Sequence, residues 1–371
     1  MNIICAKDPL LKAVRIAESL LLTKSINKAD VLIDASSDMT RILSTDMETS
    51  VMIELAASIE KNGSVVVFGK RLSDIISNLP NEDVQLSVTA DHLLKIKSLS
   101  KGIKALFSLK GLAKSEFPEP PKISNDGVFK IEQKVLKACI RKVILSASTD
   151  DMRYVLNGIL FNVKRDRIKL VATDGRRLSV ISSAIKGPSQ EKNVIVSKKV
   201  LTEIEKMLGT EGECQIGIAE NQAFFQFENI TVISRLIEGD FPDYQQVIPA
   251  SHDLEVVFNK EELLTATKRV SLMVNENFKK LTITMDEQKA VFDSQDPEIG
   301  EAFEEVKLKS KNRELKENFV ISFNCFFLMD VLKVIDTEDL VFRFNKNVNP
   351  AVIMEKDGDD FLSVIMPMKN V

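Results

Sequence analysis

The sequence predicts an α+β protein of three similar domains, each with two helices packed on antiparallel sheets. Three observations predict it. Thr45-Asp46 closes the alternating run 41–44, Thr173-Asp174 closes 168–172, and Gln295-Asp296 closes 290–294, so the aspartates recur at intervals of 128 and 122 residues. A second mark keeps nearly the same period: Leu72-Ser73-Asp74-Ile75, Leu201-Thr202-Glu203-Ile204 and Leu328-Met329-Asp330-Val331 place their acids 129 and 127 residues apart. Finally, short alternating apolar runs flank helix-period segments in every third of the chain. A period of about 124 residues in a chain of 371 marks repeated domains. Breaker clusters at Phe117-Pro118-Glu119-Pro120-Pro121 and from Phe241-Pro242-Asp243-Tyr244 to Pro249 set the limits at 1–124, 125–250 and 251–371.

The elements follow in order. Residues 7–22 read as a helix with Asp8 as N-cap and Pro9 at its first position. Leu10, Val14, Ala17 and Leu21 form its apolar face, with Lys12, Arg15 and Ser19 on another. Strands are expected at 31–33, 51–55, 65–68, 84–88 and 94–97, with turns at Lys61-Asn62-Gly63 and Asn125-Asp126-Gly127 and a second helix over 69–79. The second third repeats the plan with helices over 131–148 and 197–208, and the third with helices over 260–277 and 324–335. In the helix over 131–148, Leu136, Cys139, Ile140, Val143 and Ala147 make the buried stripe, while Lys134, Lys137 and Arg141 line another side. Each domain thus reads as two strand–helix–strands modules. Sheets with open edges must be paired or covered, so such a chain favours sheet continuation from domain to domain and closure into a ring.

Charge is distributed unevenly. The net charge is −4, yet the six helical segments hold sixteen Lys and Arg against ten Asp and Glu. A local basic face governs contact with phosphates even in an acidic protein. Apolar residues at 44% and charged residues at 28% describe an ordinary globular chain. No apolar run is long enough to cross a bilayer, so no membrane contact is expected. The start of the chain lacks the basic and apolar regions of a secretory signal. Cys5, Cys139, Cys214 and Cys325 stand singly, without metal-ligand spacing, and fit the core of a cytoplasmic protein.

Catalytic motifs are missing. The two histidines, His92 and His252, lie near no nucleophile motif, and no phosphate loop, dinucleotide fingerprint or zinc-helix signature occurs. Asp150-Asp151 and Asp359-Asp360 read as solvated loop acids, and Asp174, in a Thr-Asp-Gly turn, as a residue that bonds nearby backbone amides. The residues point to a non-enzyme with no cofactor and no metal. Two other classes compete: a monomeric DNA-binding repeat protein that wraps DNA without closing, which sedimentation separates from a ring, and a nuclease using Asp150, Asp151 and Asp174 around a metal, which a metal-dependent cleavage assay reveals.

Several segments carry a family resemblance. Residues 151–161 (Asp-Met-Arg-Tyr-Val-Leu-Asn-Gly-Ile-Leu-Phe), 171–178 (Val-Ala-Thr-Asp-Gly-Arg-Arg-Leu), Phe241-Pro242-Asp243-Tyr244, Asn275-Glu276-Asn277-Phe278 and the terminal 364–369 (Val-Ile-Met-Pro-Met-Lys) resemble the bacterial sliding clamps, the beta subunits of DNA polymerase III, in register from end to end. The resemblance implies a head-to-tail homodimer, a six-domain ring around duplex DNA with helices lining the channel. It implies a processivity role for the replicative polymerase, with the polymerase alpha subunit, the clamp loader and other polymerases or repair proteins binding through short peptides. The implied partner cleft comprises Leu156, Thr173, Gly175, Arg177, Leu178, Pro242, Val247, Val364, Met366, Pro367 and Met368. For DNA contact it points to Lys24, Lys70, Arg153 and Tyr154, and for the dimer seam to Phe107 and Leu109 against Leu272 and Met273. Lys101 and Lys104 are expected to meet Glu298, Glu301, Glu304 and Glu305. The sequence departs from the family's pattern at Ser25-Ile26-Asn27-Lys28-Ala29-Asp30, at Arg176 where His is usual, at Gln245 and Gln246 where an arginine pair is usual, and in a tail one residue longer.

Overall fold

The computed structural model describes the chain except residues 21–29, 37–38, 120, 122–126, 189–190, 276, 346–348, 359 and 370–371. Lys24 and part of the expected turn at 125–127 therefore lie outside the described residues. Six helices are described, and a strand feeds each one directly. Asn2–Ala6 runs into α1 (Lys7–Ser19), Gly63–Phe68 into α2 (Gly69–Ser77), and Phe129–Glu132 into α3 (Gln133–Ile144). Lys192–Ser197 runs into α4 (Lys198–Met207), Leu254–Asn259 into α5 (Lys260–Val270), and Phe319–Asn324 into α6 (Cys325–Val334). These are the paired modules that the sequence predicts for each third.

Direct junctions decide how the helices begin. Where a strand ends in Asn, its side chain caps the helix: the Glu262 N–H donates to Asn259 Oδ1 at 3.1 Å and the Phe326 N–H to Asn324 Oδ1 at 3.0 Å. At α1 the cap position falls to Ala6, extended at φ −66 and ψ 140 with no side-chain bond. Asp8, expected as the cap, is therefore inside the first turn, two positions past the observed cap, where its charge still complements the positive helix end. Helix ends also fall short of the apolar spacing. The segment expected to be helical to 277 stops at Val270 and passes into a 3-10 turn, Ser271–Met273, with the Ser271 hydroxyl donating to the Lys268 carbonyl at 2.7 Å. Val274 beyond it is buried in extended conformation. Apolar spacing reports burial, which continues past the last helical hydrogen bond.

The chain forms two compact units, Met1–Lys134 with Lys199–Leu236, and Val135–Lys198 with Ile237–Val371. The middle third contributes to both because each of its sheets continues into a sheet from another third. In the first unit Ile230–Ile237 pairs antiparallel with Thr49–Leu55, matching Ile230 to Ile53 and Ser234 to Thr49. Its other sheet has five strands, in the order Ser58–Lys61, Asn2–Ala6, Asp83–Val88, Leu93–Ser98 and Leu106–Lys110. In the second unit Arg177–Ala184 pairs with Phe361–Ile365, matching Arg177 to Ile365 and Leu178 to Val364. A four-stranded sheet there runs in the order Gly300–Lys307, Lys289–Asp296, Lys280–Met285 and Phe319–Asn324. Sheet continuation, expected from the open edges, is present in both units.

Apolar side chains fill these layers. Leu10, Ala13, Val14 and Ala17 of α1 are buried, and in the second unit Phe342 stacks on Phe344 with ring centroids 4.1 Å apart. The cysteines are free and buried; burial pushes the thiols of Cys5, Cys139 and Cys214 up to about 12, which makes them core residues rather than nucleophiles. Among the described residues one cation, Lys142, is buried as well. Lys142 Nζ lies 2.6 Å from Glu355 Oε1, 3.0 Å from Asp336 Oδ2, and over the Phe361 ring.

Candidate functional site

The segment 173–178 is a tight hairpin turn between Arg167–Thr173 and Arg177–Ala184. Gly175 sits at φ +83, a conformation that costs glycine little. The Asp174 carboxylate accepts the N–H groups of Arg176 at 2.9 Å and Arg177 at 3.0 Å, and the Thr173 hydroxyl donates to the Arg177 carbonyl at 2.6 Å. Asp174 is thus engaged in shaping the turn, as its sequence context predicts. Among the described residues no group of acids, histidines and cysteines is arranged to hold a metal.

Beyond the turn, the paired strands build an apolar floor. Val171, Leu178, Val180, Val352 and Val364 form one buried cluster, with Leu160, Phe241, Tyr244, Ile248, Met354 and Leu362 half-buried against it. Leu178 and Val364, expected as cleft walls, are 1% and 2% exposed and belong to the core beneath it. Val247 and Met366 are exposed, at 46% and 41%. They face a hollow of about 410 Å³ that Gln246, Pro249, Asn345 and Pro350 complete. A second hollow, of about 400 Å³, is lined by Leu160, Phe241, Pro242 and Tyr244. Gln245 and Gln246 lie one on each hollow and leave both without the positive charge an arginine pair brings.

The remaining expected cleft residues separate. The Met366 N–H donates to the Arg176 carbonyl at 3.0 Å, keeping the tail beside the turn, but the Met368 N–H donates to the Ser322 carbonyl at 2.8 Å. Met368 therefore joins the edge of the four-stranded sheet, because the backbone of its tail finds a partner there. Pro367 between them is half-buried. Leu156, half-buried, is the penultimate residue of the 3-10 segment Asp151–Asn157, and its carbonyl accepts the Ser148 N–H at 2.9 Å. Phe241, Tyr244 and Val352 also belong to this apolar surface and are absent from the set the resemblance implies; Phe241 and Tyr244 stand in the 241–244 motif, whereas Val352 carries no signal beyond strand alternation.

Arg177 is held on three sides. Its Nε lies 3.1 Å from Asp174 Oδ2, its Nη1 2.7 Å from Asp330 Oδ2, and its guanidinium carbon 4.4 Å from the centre of the Phe327 ring. Nearby, Lys198 Nζ donates to the Ala147 carbonyl at 2.7 Å; burial first, then the like charge of Arg177, holds its ammonium below the usual lysine range.

The expected DNA contacts differ in character. Arg153 is exposed on the 3-10 segment and lies against the turn, with Nη1 2.9 Å from where a Cβ on Gly175 would stand. Tyr154 is 56% exposed. Lys70 is exposed too, but pairs with Asp74 at 3.0 Å, and that hydrogen bond raises its pKa. The six observed helices together carry sixteen basic and eight acidic residues, keeping the bias read from the sequence.

Two sheet edges carry the expected seam residues. Leu106–Lys110 is the outermost strand of the five-stranded sheet, with Phe107 40% and Leu106 63% exposed. Gly300–Lys307 is the outermost strand of the four-stranded sheet, with Phe303 75% exposed. Leu272 is 76% exposed, and the Met273 methyl lies 3.0 Å from the position of a Cβ on Gly300, so both expected residues belong to that edge. Glu304 and Glu305 are already engaged within the chain by Arg269 and Lys289.

Three repeats of paired strand–helix modules, linked by sheets that run from one third into the next, define a three-domain clamp. Sequence comparison gives the particular family: the models of the DNA polymerase III beta subunit N-terminal, central and C-terminal domains match residues 1–121, 130–243 and 245–369, and the chain belongs to that family. The beta sliding clamps of Staphylococcus epidermidis and Staphylococcus aureus are 30% identical over 349 and 350 residues, covering 91% of this chain and 91% of theirs. The DNA polymerase sliding clamp of Bacillus subtilis superimposes with a TM-score of 0.94 at 26% identity over 100% of both chains. A putative DNA polymerase III beta subunit from Eubacterium rectale gives 0.91 at 30% identity over 99% of both. The chain is a non-catalytic processivity clamp of DNA replication.

Proposed function

We propose that two copies close head to tail into a ring around duplex DNA, organised as three domains per copy at 1–124, 125–250 and 251–371. The observation that carries this reading is a pair of complementary open sheet edges. One presents Leu106 and Phe107 beside Lys101, Lys104 and Lys110; the other presents Leu272 and Phe303 beside Glu298 and Glu301. Leu109 and Met273 lie on the same two edges. An open apolar edge seeks a partner strand, and opposite charge selects which edge it finds.

Lys24, Lys70, Arg153 and Tyr154 contact the sugar–phosphate backbone in this reading, and the basic helices hold the duplex without reading its bases. Partners dock through short peptides on the apolar surface around the 173–178 turn. Pro242, Val247 and Met366 line it, Leu178 and Val364 support it from below, Leu156 and Pro367 flank it, and Met368 marks its far end. The adaptable methionine side chain at its mouth suits several peptides. The polymerase alpha subunit, the clamp loader, and other polymerases or repair proteins share it in turn, in the cytoplasm. The test is topological. After loading by a bacterial clamp loader, the protein should stay on circular DNA and be lost once the circle is cut. Equal loss from both forms would overturn closure.

A further inference from the structure

We propose that Asp330, on α6, is a positioning residue for partner-peptide binding, acting through Arg177 on the 173–178 turn. The inference rests on the pocket reading above and deepens it. Asp330 is far from Arg177 in sequence, yet its Oδ2 lies 2.7 Å from Arg177 Nη1. Asp174 holds the opposite side of the same guanidinium at 3.1 Å, and Phe327, also on α6, lies beneath it. The Arg177 side chain is 11% exposed, so its position is set by these groups rather than by solvent.

The geometry gives the contact a definite consequence. Arg177 begins the strand that pairs with the terminal strand, and the Arg176 carbonyl, one residue earlier, holds the Met366 N–H at 3.0 Å. A shift of the turn therefore moves Met366, which lines the hollow, and Leu178, which supports it. Two carboxylates on one guanidinium also more than balance its charge. Arg177 then serves as a strut between α6 and the turn, and does not offer a free cation to an incoming peptide. A planar guanidinium suits this role because it accepts carboxylates at its edge and an aromatic ring at its face together.

The experiment is fluorescence anisotropy on the full-length protein with a labelled peptide ending Gln-Leu-Ser-Leu-Phe, of the Gln-Leu-x-Leu-Phe type that the sliding-clamp resemblance implies. Met366→Ala alone tests the pocket; Asp330→Ala, Arg177→Ala and their combination test the strut. Affinity should fall about tenfold in Asp330→Ala, and the double variant should bind no more weakly than Arg177→Ala, because both remove one contact. General loss of structure would not produce that non-additivity. Lys333→Ala, which removes a second cation beside Asp330 (3.8 Å), should bind like the unmodified protein. Asp330→Asn keeps the side-chain shape and serves if Asp330→Ala does not fold. Normal affinity in a folded Asp330 variant, with Met366→Ala weakened, overturns the strut and leaves the pocket standing. Normal affinity in Met366→Ala overturns both.

Discussion

Lys142 and its two acids show what a single buried charge asks of its surroundings. Its side chain is 7% exposed and that of Glu355 12% exposed, so each needs the other to offset lost hydration. Lys142→Met should destabilise the chain by about 3–5 kcal/mol, because Glu355 is left without its partner; denaturant unfolding with size measurement checks this. Asp336 adds a pH dependence. Burial acts to raise its pKa, but the hydrogen bonds from Arg141 and Lys142 outweigh it and hold the carboxyl below its usual value. A depressed folded pKa contributes stability above the unfolded value of roughly 4, lost as pH falls through the lower folded value. Asp336→Asn should remove that part of the acid-induced loss below about pH 4, measured by denaturant titration across pH. Little of this is legible in the sequence: the spacing places Arg141 on a basic face, and nothing in it announces that Asp336 meets it.

At the scale of elements, the outermost strands matter most. Leu272 and Phe303 are exposed in the single chain, so Leu272→Ala with Phe303→Ala should leave the chain folded. If each is fully covered in the dimer, its loss costs about 2–5 kcal/mol. Analytical ultracentrifugation at nanomolar concentration should show folded monomer; an intact dimer there would rule out this seam. Helix positions were readable from apolar spacing, and strands from alternation. Helix ends were not, since the turn after Val270 continues the burial pattern without the helical bonds. The cleft was legible as a set of residue types, but depth was not: Leu178 and Val364 lie in the cluster beneath the surface that Met366 and Val247 expose.

For the whole molecule, the question is how an acidic chain holds DNA. Phosphate contacts release counterions, so direct binding should weaken steeply with salt and show no base preference. Arg153→Glu should lower the slope of log affinity against log salt by roughly 0.9 if it removes one phosphate contact. Lys70→Glu should act in the same direction with a smaller change, because the Lys70 ammonium is already paired with Asp74. Filter binding at several salt concentrations measures both. A slope unchanged in Arg153→Glu would remove that residue from the DNA face.

The sequence by itself determined the threefold repeat, the six helices, the apolar alternation of the strands and the family, because these depend on neighbours a few residues apart and on motifs that stay intact in the chain. Tertiary structure alone decided that the middle third is shared between two compact units, since only folding matches Arg177–Ala184 to Phe361–Ile365 and Ile230–Ile237 to Thr49–Leu55. It also decided which charges are spent within the chain. Arg177 finds Asp330, Lys142 finds Glu355 and Arg269 finds Glu304, each pair joined by a fold that brings distant carboxylates within reach. Coulomb energy depends on separation in space, and a linear sequence does not contain that distance.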